Sequence, residues 1–189
     1  ELAEEFSPNA DATEWTFKLR KDVEWHDGSK FGSDDVIYSM NRHHGEESTS
    51  VVKALVSVVK EWKKTGPYEV KAILDSSYAD LAHVLGEKQF KVIKAGTTDF
   101  SDPVGTGPYT LKDFQPGVRS IQVRNENYWR EGGNFDEIQI FAITDAVARV
   151  NALLSGDVEM IADLDPKAIK QVESTQGIEV KSQSSGAYM

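Results

Sequence analysis

Histidines are the first residues in this sequence whose type could support chemistry. The chain has four, of which His43 and His44 are adjacent. Neighbouring side chains diverge by about 100° on a helix and face opposite sides of a strand, so the two imidazoles do not readily share one metal ion. We predict no metal site and interpret both as polar side chains at a helix end. His26 and His83 are predicted to serve local structure.

Two of the pairs of adjacent carboxylates, Asp34-Asp35 and Glu46-Glu47, could be offered as catalytic acids and bases. Neighbouring acids near helix ends are usually solvated, which favours a structural interpretation of both pairs. The chain has no Gly-x-Ser-x-Gly elbow, no phosphate loop ending in Gly-Lys-Ser/Thr and no His-Glu-x-x-His helix. We therefore predict no catalytic residue and no enzyme. A hydrolase acting on peptide or glycan stays open as the alternative, because residues distant in sequence can converge in a fold.

A glycine-rich stretch, Gly105-Thr106-Gly107-Pro108, has a partial likeness to a dinucleotide-binding loop. Proline replaces a backbone donor that such a loop needs, and no third glycine follows at the required spacing. We interpret the stretch as a rigid turn, and we predict no cofactor.

Composition narrows the class of protein further. With 21 Lys and Arg against 31 Asp and Glu, the net charge of -10 repels phosphate backbones, so nucleic acid is not an expected partner. The absence of cysteine excludes disulfides and thiolate chemistry. An apolar fraction of 39% indicates a globular protein, and no apolar run approaches the roughly 18 residues of a membrane-spanning helix.

Alternation and turn residues predict the elements of the first half. Residues 15–20 alternate apolar with polar side chains, as in a strand with one buried face. Ser33, followed by two aspartates, is predicted to cap a helix that ends at residues 42–45. Apolar runs on either side of the turn at 64–67 predict a hairpin. The aromatic side chains are expected to pack in the core: Trp15, Trp25, Trp62, Tyr128 and Trp129.

Further elements are predicted on both sides of a turn-rich stretch. We predict a short helix capped at 75–77 and a strand at 90–93, followed by an internal boundary within 96–108. The second half should contain strands at 109–111, 118–123 and 138–140, and helices opened by Asp145 and by Asp165-Pro166. The tail, 182–189, resembles the start of a strand.

Several motifs in a fixed order carry a resemblance to a known family. They are WTFKLRKDVEWHDG at 15–28, SDDVIYSMNR at 33–42, PVGTGPY at 103–109, RNENYW at 124–129, DEI at 136–138 and ALLSGDV at 152–158. Together they resemble the family 5 solute-binding proteins of bacterial ABC importers, which include oligopeptide-, dipeptide- and nickel-binding members. The resemblance extends over nearly the whole chain.

The resemblance implies a fold and a domain organisation. We expect an α/β, periplasmic-binding-protein-like lobe of the class II type, with mixed sheets and incomplete at both ends. Residues 1–95 should form the small α/β domain of the first lobe, with part of its neighbour at the N-terminus. Residues 96–189 should form part of the larger, hinge-connected α/β domain. The second lobe is expected to be absent, so that these residues alone should bind ligand weakly.

The resemblance also implies a function. The expected protein is the substrate-binding component of an ABC transporter, which captures a peptide or similar small solute in a cleft between lobes. Its partners would be that ligand and a membrane permease, and a monomer is expected. The expected location is the periplasm or another extracytoplasmic compartment, with a membrane-tethered lipoprotein as one form.

Site residues follow from the resemblance at two places. In relatives the loop after the Tyr-Ser-x-Asn-Arg helix reaches toward the cleft, and in some of them the strand before the Pro-Val-Gly-Thr-Gly-Pro turn adds a cationic contact. An ordinary surface role is the alternative for every residue in these places. The candidate ligand-binding residues are His43, His44, Glu47, Ser48, Lys88, Gln89 and Lys91.

Overall fold

Residues 1–182, which the computed structural model describes, contain seven β-strands and four α-helices, with short 3-10 turns between them. They divide into two compact units. The first comprises residues 1–113 and 121–138, and the second comprises 114–120 and the chain from 139 onward. The α/β class predicted from the sequence is confirmed. The predicted strand start at 182–189 lies, apart from Ser182, outside the described residues.

A four-stranded antiparallel sheet organises the first unit. It comprises β1 (Ala3–Pro8), β2 (Glu14–Leu19), β3 (Val59–Gly66) and β4 (Glu69–Leu74), in the order β1-β2-β4-β3. The strand predicted at 15–20 is β2, and the predicted hairpin is β3-β4. The hairpin strand starts only at Val59, because residues 53–56 form a 3-10 turn.

Period-2 alternation places the core on one face of this sheet. In β2 the apolar side chains of Trp15, Phe17 and Leu19 are buried while the residues between them are more exposed. Phe17 pairs in register with Val70, which is fully buried on β4. The predicted burial of the aromatic residues is confirmed for Trp15, Trp25 and Trp62.

Helix α1 (Ser33–Asn41) contributes Val36 and Met40 to the same core. The predicted cap is wrong: Gly32, not Ser33, is the N-cap residue. The Ser33 hydroxyl is buried without a hydrogen-bond partner. Asp35 performs the capping role, since its Oδ2 accepts the backbone N–H of Gly32 at 2.8 Å.

The predictions between residues 75 and 93 are partly wrong. Helix α2 (Leu81–Val84) forms, but its N-cap is Asp80 and residues 75–77 do not cap it. The strand predicted at 90–93 does not form. Residues Lys88–Phe90 make a 3-10 turn, and the chain beyond them has no strand partner.

Three further strands follow in the order β5-β6-β7: β5 (Tyr109–Gln115), β6 (Arg119–Arg124) and β7 (Glu137–Phe141). They confirm the strands predicted in this half. Helix α3 (Ala146–Ser155) begins as predicted at Asp145, whose Oδ1 accepts the N–H of Ala148 at 2.7 Å. A 3-10 turn at Pro166–Ala168 leads into α4 (Ile169–Glu173), as the Asp165-Pro166 signal predicts.

Candidate ligand-binding loops

The loop that follows α1, residues 42–50, contains four of the predicted site residues, and we call it the histidine loop. Its first turn continues the helix, since the N–H groups of His43 and His44 donate to the carbonyls of Met40 and Asn41 at 3.0 and 3.1 Å. Gly45 then adopts a φ of +84°, which ends the helical path. The two imidazoles therefore project from one short turn in different directions, as expected for neighbours.

His44 is held by the sheet. The indole Nε1–H of Trp62, on β3, donates to His44 Nε2 at 3.0 Å. An indole nitrogen is only a donor, so Nε2 carries no proton and the neutral ring has its proton on Nδ1. Burial lowers the pKa of His44 below its usual value of 6.5. The side chain is thus a neutral structural acceptor.

His43 is packed against the second predicted segment. Its ring centre lies 4.9 Å from that of Phe90 in an edge-on arrangement, and its Nδ1 lies 2.7 Å from Ser50 Oγ. Burial, and then the positive charge of Arg42 and the proximity of His44, lower the pKa of His43. The contact with Phe90 brings the histidine loop next to residues 88–91.

The other predicted site residues are exposed to solvent, except for Ser48. The Ser48 hydroxyl donates to the carbonyl of Arg42 at 2.7 Å and so closes the loop on itself. Glu47 is exposed. Lys88, Gln89 and Lys91 are also exposed, on a 3-10 turn and the extended residue after it, not on the strand predicted there. The ligand-binding role of all seven residues stays a prediction.

An open groove of about 320 Å³ lies beside these segments in the first unit. Of the predicted site residues only Gln89 lines it. Its other lining residues were not predicted from the sequence, where nothing distinguishes them from ordinary surface and core positions: Val52, Leu55, His83, Val84 and Glu87. The groove combines an apolar floor with a carboxylate, an imidazole and an amide.

Hydrogen bonds with the side chains of His26 and Trp129 hold the glycine-rich turn at 103–108. His26 Nδ1 accepts the N–H of Gly105 at 3.2 Å, so its Nε2 donates to the carbonyl of Gly107 at 3.0 Å. Trp129 Nε1 donates to the carbonyl of Thr106 at 2.9 Å. These bonds agree with an architectural turn and with the local structural role predicted for His26.

The paired acids at α1 serve structure. Asp35 is 7% exposed and accepts the indole N–H of Trp25 at 3.3 Å and the N–H of Ala95 at 2.8 Å, besides that of Gly32. Asp34 is exposed and pairs with Lys64 at 2.7 Å. The expectation that both acids are solvated is therefore wrong for Asp35, because three N–H groups replace its water.

Residues 1–182 lack two further features, a cluster of metal ligands and a membrane-spanning helix. No group of three or more histidine, cysteine or acidic side chains there could hold a metal ion. No helix in the same part of the chain is both long and apolar enough to cross a bilayer.

Comparison with known proteins identifies the family to which this chain belongs. The model of the bacterial extracellular solute-binding proteins, family 5, matches residues 1–189. The chain belongs to this family of solute-binding proteins, as its sequence motifs predict.

Relatives of known name support this assignment. The chain is 28% identical to the dipeptide-binding protein of Escherichia coli K12 over an alignment 206 positions long. This match covers 94% of this chain and 38% of the relative. It is 25% identical to the nickel-binding periplasmic protein of the same organism, covering 85% of this chain and 32% of that protein. Both relatives are named for binding a solute, and neither name supports the hydrolase alternative.

Solved structures confirm the periplasmic-binding-protein fold. AgaA of A. tumefaciens R10, in complex with agropinic acid, superimposes with a TM-score of 0.87 at 26% identity. The match covers 93% of this chain and 37% of AgaA. A nickel ABC transporter protein of Bacillus halodurans gives a TM-score of 0.83 at 27% identity, covering 94% of this chain and 36% of that one. The chain thus spans well under half the length of the relatives it matches.

Proposed function

We propose that this chain belongs to the substrate-binding component of an ABC importer, which captures a peptide or a similar small solute. The observation that carries the proposal is the family match over residues 1–189. Relatives named for peptides, nickel and heme give the range of solutes, and peptide-binding names recur among them.

Capture requires no chemistry on the solute. A ligand that contacts two lobes in a closed form, and fewer groups in an open one, shifts the population toward closure by its difference in affinity. The closed form would then be recognised by a membrane permease. We propose an extracytoplasmic, monomeric protein for this role, in which residues 1–95 and 96–189 belong to two domains of one lobe.

Within this chain, the exposed charged candidates suit a solute with ionised ends. Glu47 has a free carboxylate, while Lys88 and Lys91 have free ammonium groups; no ion pair involves them within the described part of the chain. A zwitterionic peptide presents both signs of charge, so these groups complement it. His43, His44 and Ser48 would act by shaping the loop, because one ring nitrogen of each histidine and the Ser48 hydroxyl already have protein partners.

Native mass spectrometry of the purified two-lobed protein tests the proposal. We expect a bound solute that is released unchanged on mild denaturation, and its mass identifies it as a peptide or another small molecule. Rebinding is then measured by calorimetry. Absence of any bound solute, together with steady turnover of added peptides or glycans, would contradict the proposal in favour of a hydrolase.

Variants test the candidate residues. Replacing Lys88 and Lys91 by glutamine should weaken rebinding about tenfold or more, as expected when charged hydrogen bonds to a ligand are lost. The matched control replaces Lys60 and Lys63 on β3, which are also exposed, and should leave affinity unchanged. Equal affinity in both double variants would show that Lys88 and Lys91 do not bind the solute.

A further inference from the structure

The histidine loop is attached to the sheet through an acceptor that a proton can remove. Trp62 is 6% exposed, and its indole N–H, buried at the loop, has His44 Nε2 as its hydrogen-bond partner. Imidazolium has no free lone pair, so a protonated His44 cannot accept this bond. Protonation would leave a buried donor unpaired beside a positive ring, and an unpaired buried donor favours opening of the structure around it.

His43 also disfavours the packed loop when protonated, but by charge repulsion and not by loss of a hydrogen bond. His43 can keep its contact with Ser50 when protonated, because a serine hydroxyl both donates and accepts. Two adjacent imidazolium rings next to Arg42 would nevertheless repel one another. Charge on one ring therefore disfavours charge on the other while both rings are packed.

The charged groups around the pair are of both signs. In the loop itself these are Arg42, Glu46 and Glu47, and Lys53 follows with its ammonium on the carbonyl of Glu46 at 3.2 Å. Neither ring forms an ion pair with a carboxylate within residues 1–182. The charged residues of the packed elements are exposed: Glu61 and Lys63 beside Trp62 on β3, and Lys88 and Lys91 beside Phe90.

We propose that the histidine loop is a proton-sensitive element of the binding protein, in which neutral His44 holds residues 42–50 against β3 and its protonation releases them. His44 is then a positioning residue for Glu47 and Ser48. Any effect on solute affinity rests on the proposed function, whereas release of the loop does not.

The direction of the effect follows from the histidine pKa values. Burial holds the pKa of both rings in the packed loop below 6.5. The packed loop is therefore favoured at pH values above 6.5, and this preference is lost as the pH falls below that value. Each unit by which a ring's pKa in the packed loop lies below its value in the released loop changes the release equilibrium about tenfold.

The test follows the Trp62 indole N–H by NMR between about pH 8 and about pH 5, a range that brackets the histidine titration. The signal is assigned with Trp62→Phe. In His44→Gln the amide oxygen can accept the indole N–H but does not titrate. We expect solvent exchange of the indole proton in the wild type, relative to His44→Gln at the same pH, to rise as the pH falls. His83→Gln, which removes an exposed histidine, should behave as the wild type does.

A second measurement keeps the test independent of the variant's folding. Long-range proton-nitrogen spectra of the wild type report the tautomer of His44 directly, and we expect Nδ1–H at high pH. An indole signal that is unchanged across the range, or that changes equally in His44→Gln, would overturn the proposal. So would a His44 ring that is protonated on Nε2 at high pH. Solute affinity measured over the same range is a separate readout, and its failure would bear on the proposed function alone.

Discussion

Two adjacent carboxylates, Asp34 and Asp35, have opposite environments in the first turn of α1. Asp34 is exposed and makes a surface ion pair with Lys64. Asp35 is buried and accepts N–H groups from Trp25, Gly32 and Ala95. Because both lie at the same helix end, the helix dipole acts on them similarly, and burial is the main difference between them.

This difference predicts unequal costs of neutralisation. Asp35→Asn places an amide donor against backbone or indole N–H groups, so we expect a loss of about 2–4 kcal/mol in the free energy of unfolding. Asp34→Asn should cost about 0–1 kcal/mol, as for an exposed ion pair. Urea unfolding of both variants measures the difference. A smaller effect at Asp35 than at Asp34 would contradict its structural role.

Asp27 gives a prediction about pH. The ammonium of Lys94, and then the hydroxyl and N–H of Ser29, lower the pKa of Asp27 from 3.8 to about 2. A lowered pKa means that this carboxylate stabilises the fold above pH 3.8 and that the contribution is lost as the pH falls from 3.8 to about 2. Lys94→Met should raise the pKa of Asp27, although the Ser29 contacts keep it below 3.8. Carbon NMR of the carboxyl group measures this shift.

The control for this experiment is Lys91→Met, which removes an exposed ammonium three residues before Lys94 that is not among the groups acting on the Asp27 carboxyl. It should leave the carboxyl titration unchanged. An Asp27 titration that does not move in Lys94→Met would mean that the ion pair does not persist in solution.

At the scale of elements, the segment after Phe90 shows where sequence patterns stop being informative. Its apolar residues predict a strand, but its backbone groups bind side chains of α1. The N–H of Ile93 donates to Ser39 Oγ at 2.8 Å, and the carbonyl of Thr97 accepts the Tyr38 hydroxyl at 2.7 Å. A strand prediction presumes a neighbouring strand, and no local pattern reveals that a helix side chain takes its place.

Elements with local signals were predicted well for the same physical reason. β2 alternates within its own six residues, and α3 has its cap at Asp145 and its left-handed C-terminal residue at Gly156, with a φ of +79°. The loop after α1 could be located from its motif. The partners of His43 and His44, however, come from Phe90 and Trp62, which lie far along the chain.

Ser39→Ala tests whether the Ser39 hydroxyl replaces a neighbouring strand as the partner of the Ile93 N–H. It removes the acceptor of the Ile93 N–H in a buried place, so we expect a loss of about 1–3 kcal/mol in the free energy of unfolding and faster hydrogen exchange at the Ile93 amide. Ser57→Ala is the matched control, because that hydroxyl is exposed and donates to a carbonyl within its own turn. Unchanged exchange at Ile93 in Ser39→Ala would refute the role of this hydroxyl.

For the whole molecule, the uneven distribution of the core between the two units matters most. Nearly all buried apolar side chains of residues 1–182 belong to the first unit, and the second has Val150 on α3 and Val172 on α4. Unfolding free energy comes largely from buried apolar area. The second unit should therefore open locally at a lower free energy than the first.

Hydrogen exchange followed by mass spectrometry measures this difference, with tryptophan fluorescence as an internal reference, since all four tryptophans lie in the first unit. We expect peptides from α3 to exchange faster than peptides from β3 and β4. Val150→Ala, which costs about 2 kcal/mol for a buried valine, should accelerate exchange in α3 and leave the fluorescence midpoint in urea unchanged. Val70→Ala, at a fully buried position of β4, should lower that midpoint. If Val150→Ala lowered the fluorescence midpoint as much as Val70→Ala does, the chain would unfold as one cooperative unit, and a sparse core would not by itself make α3 open first.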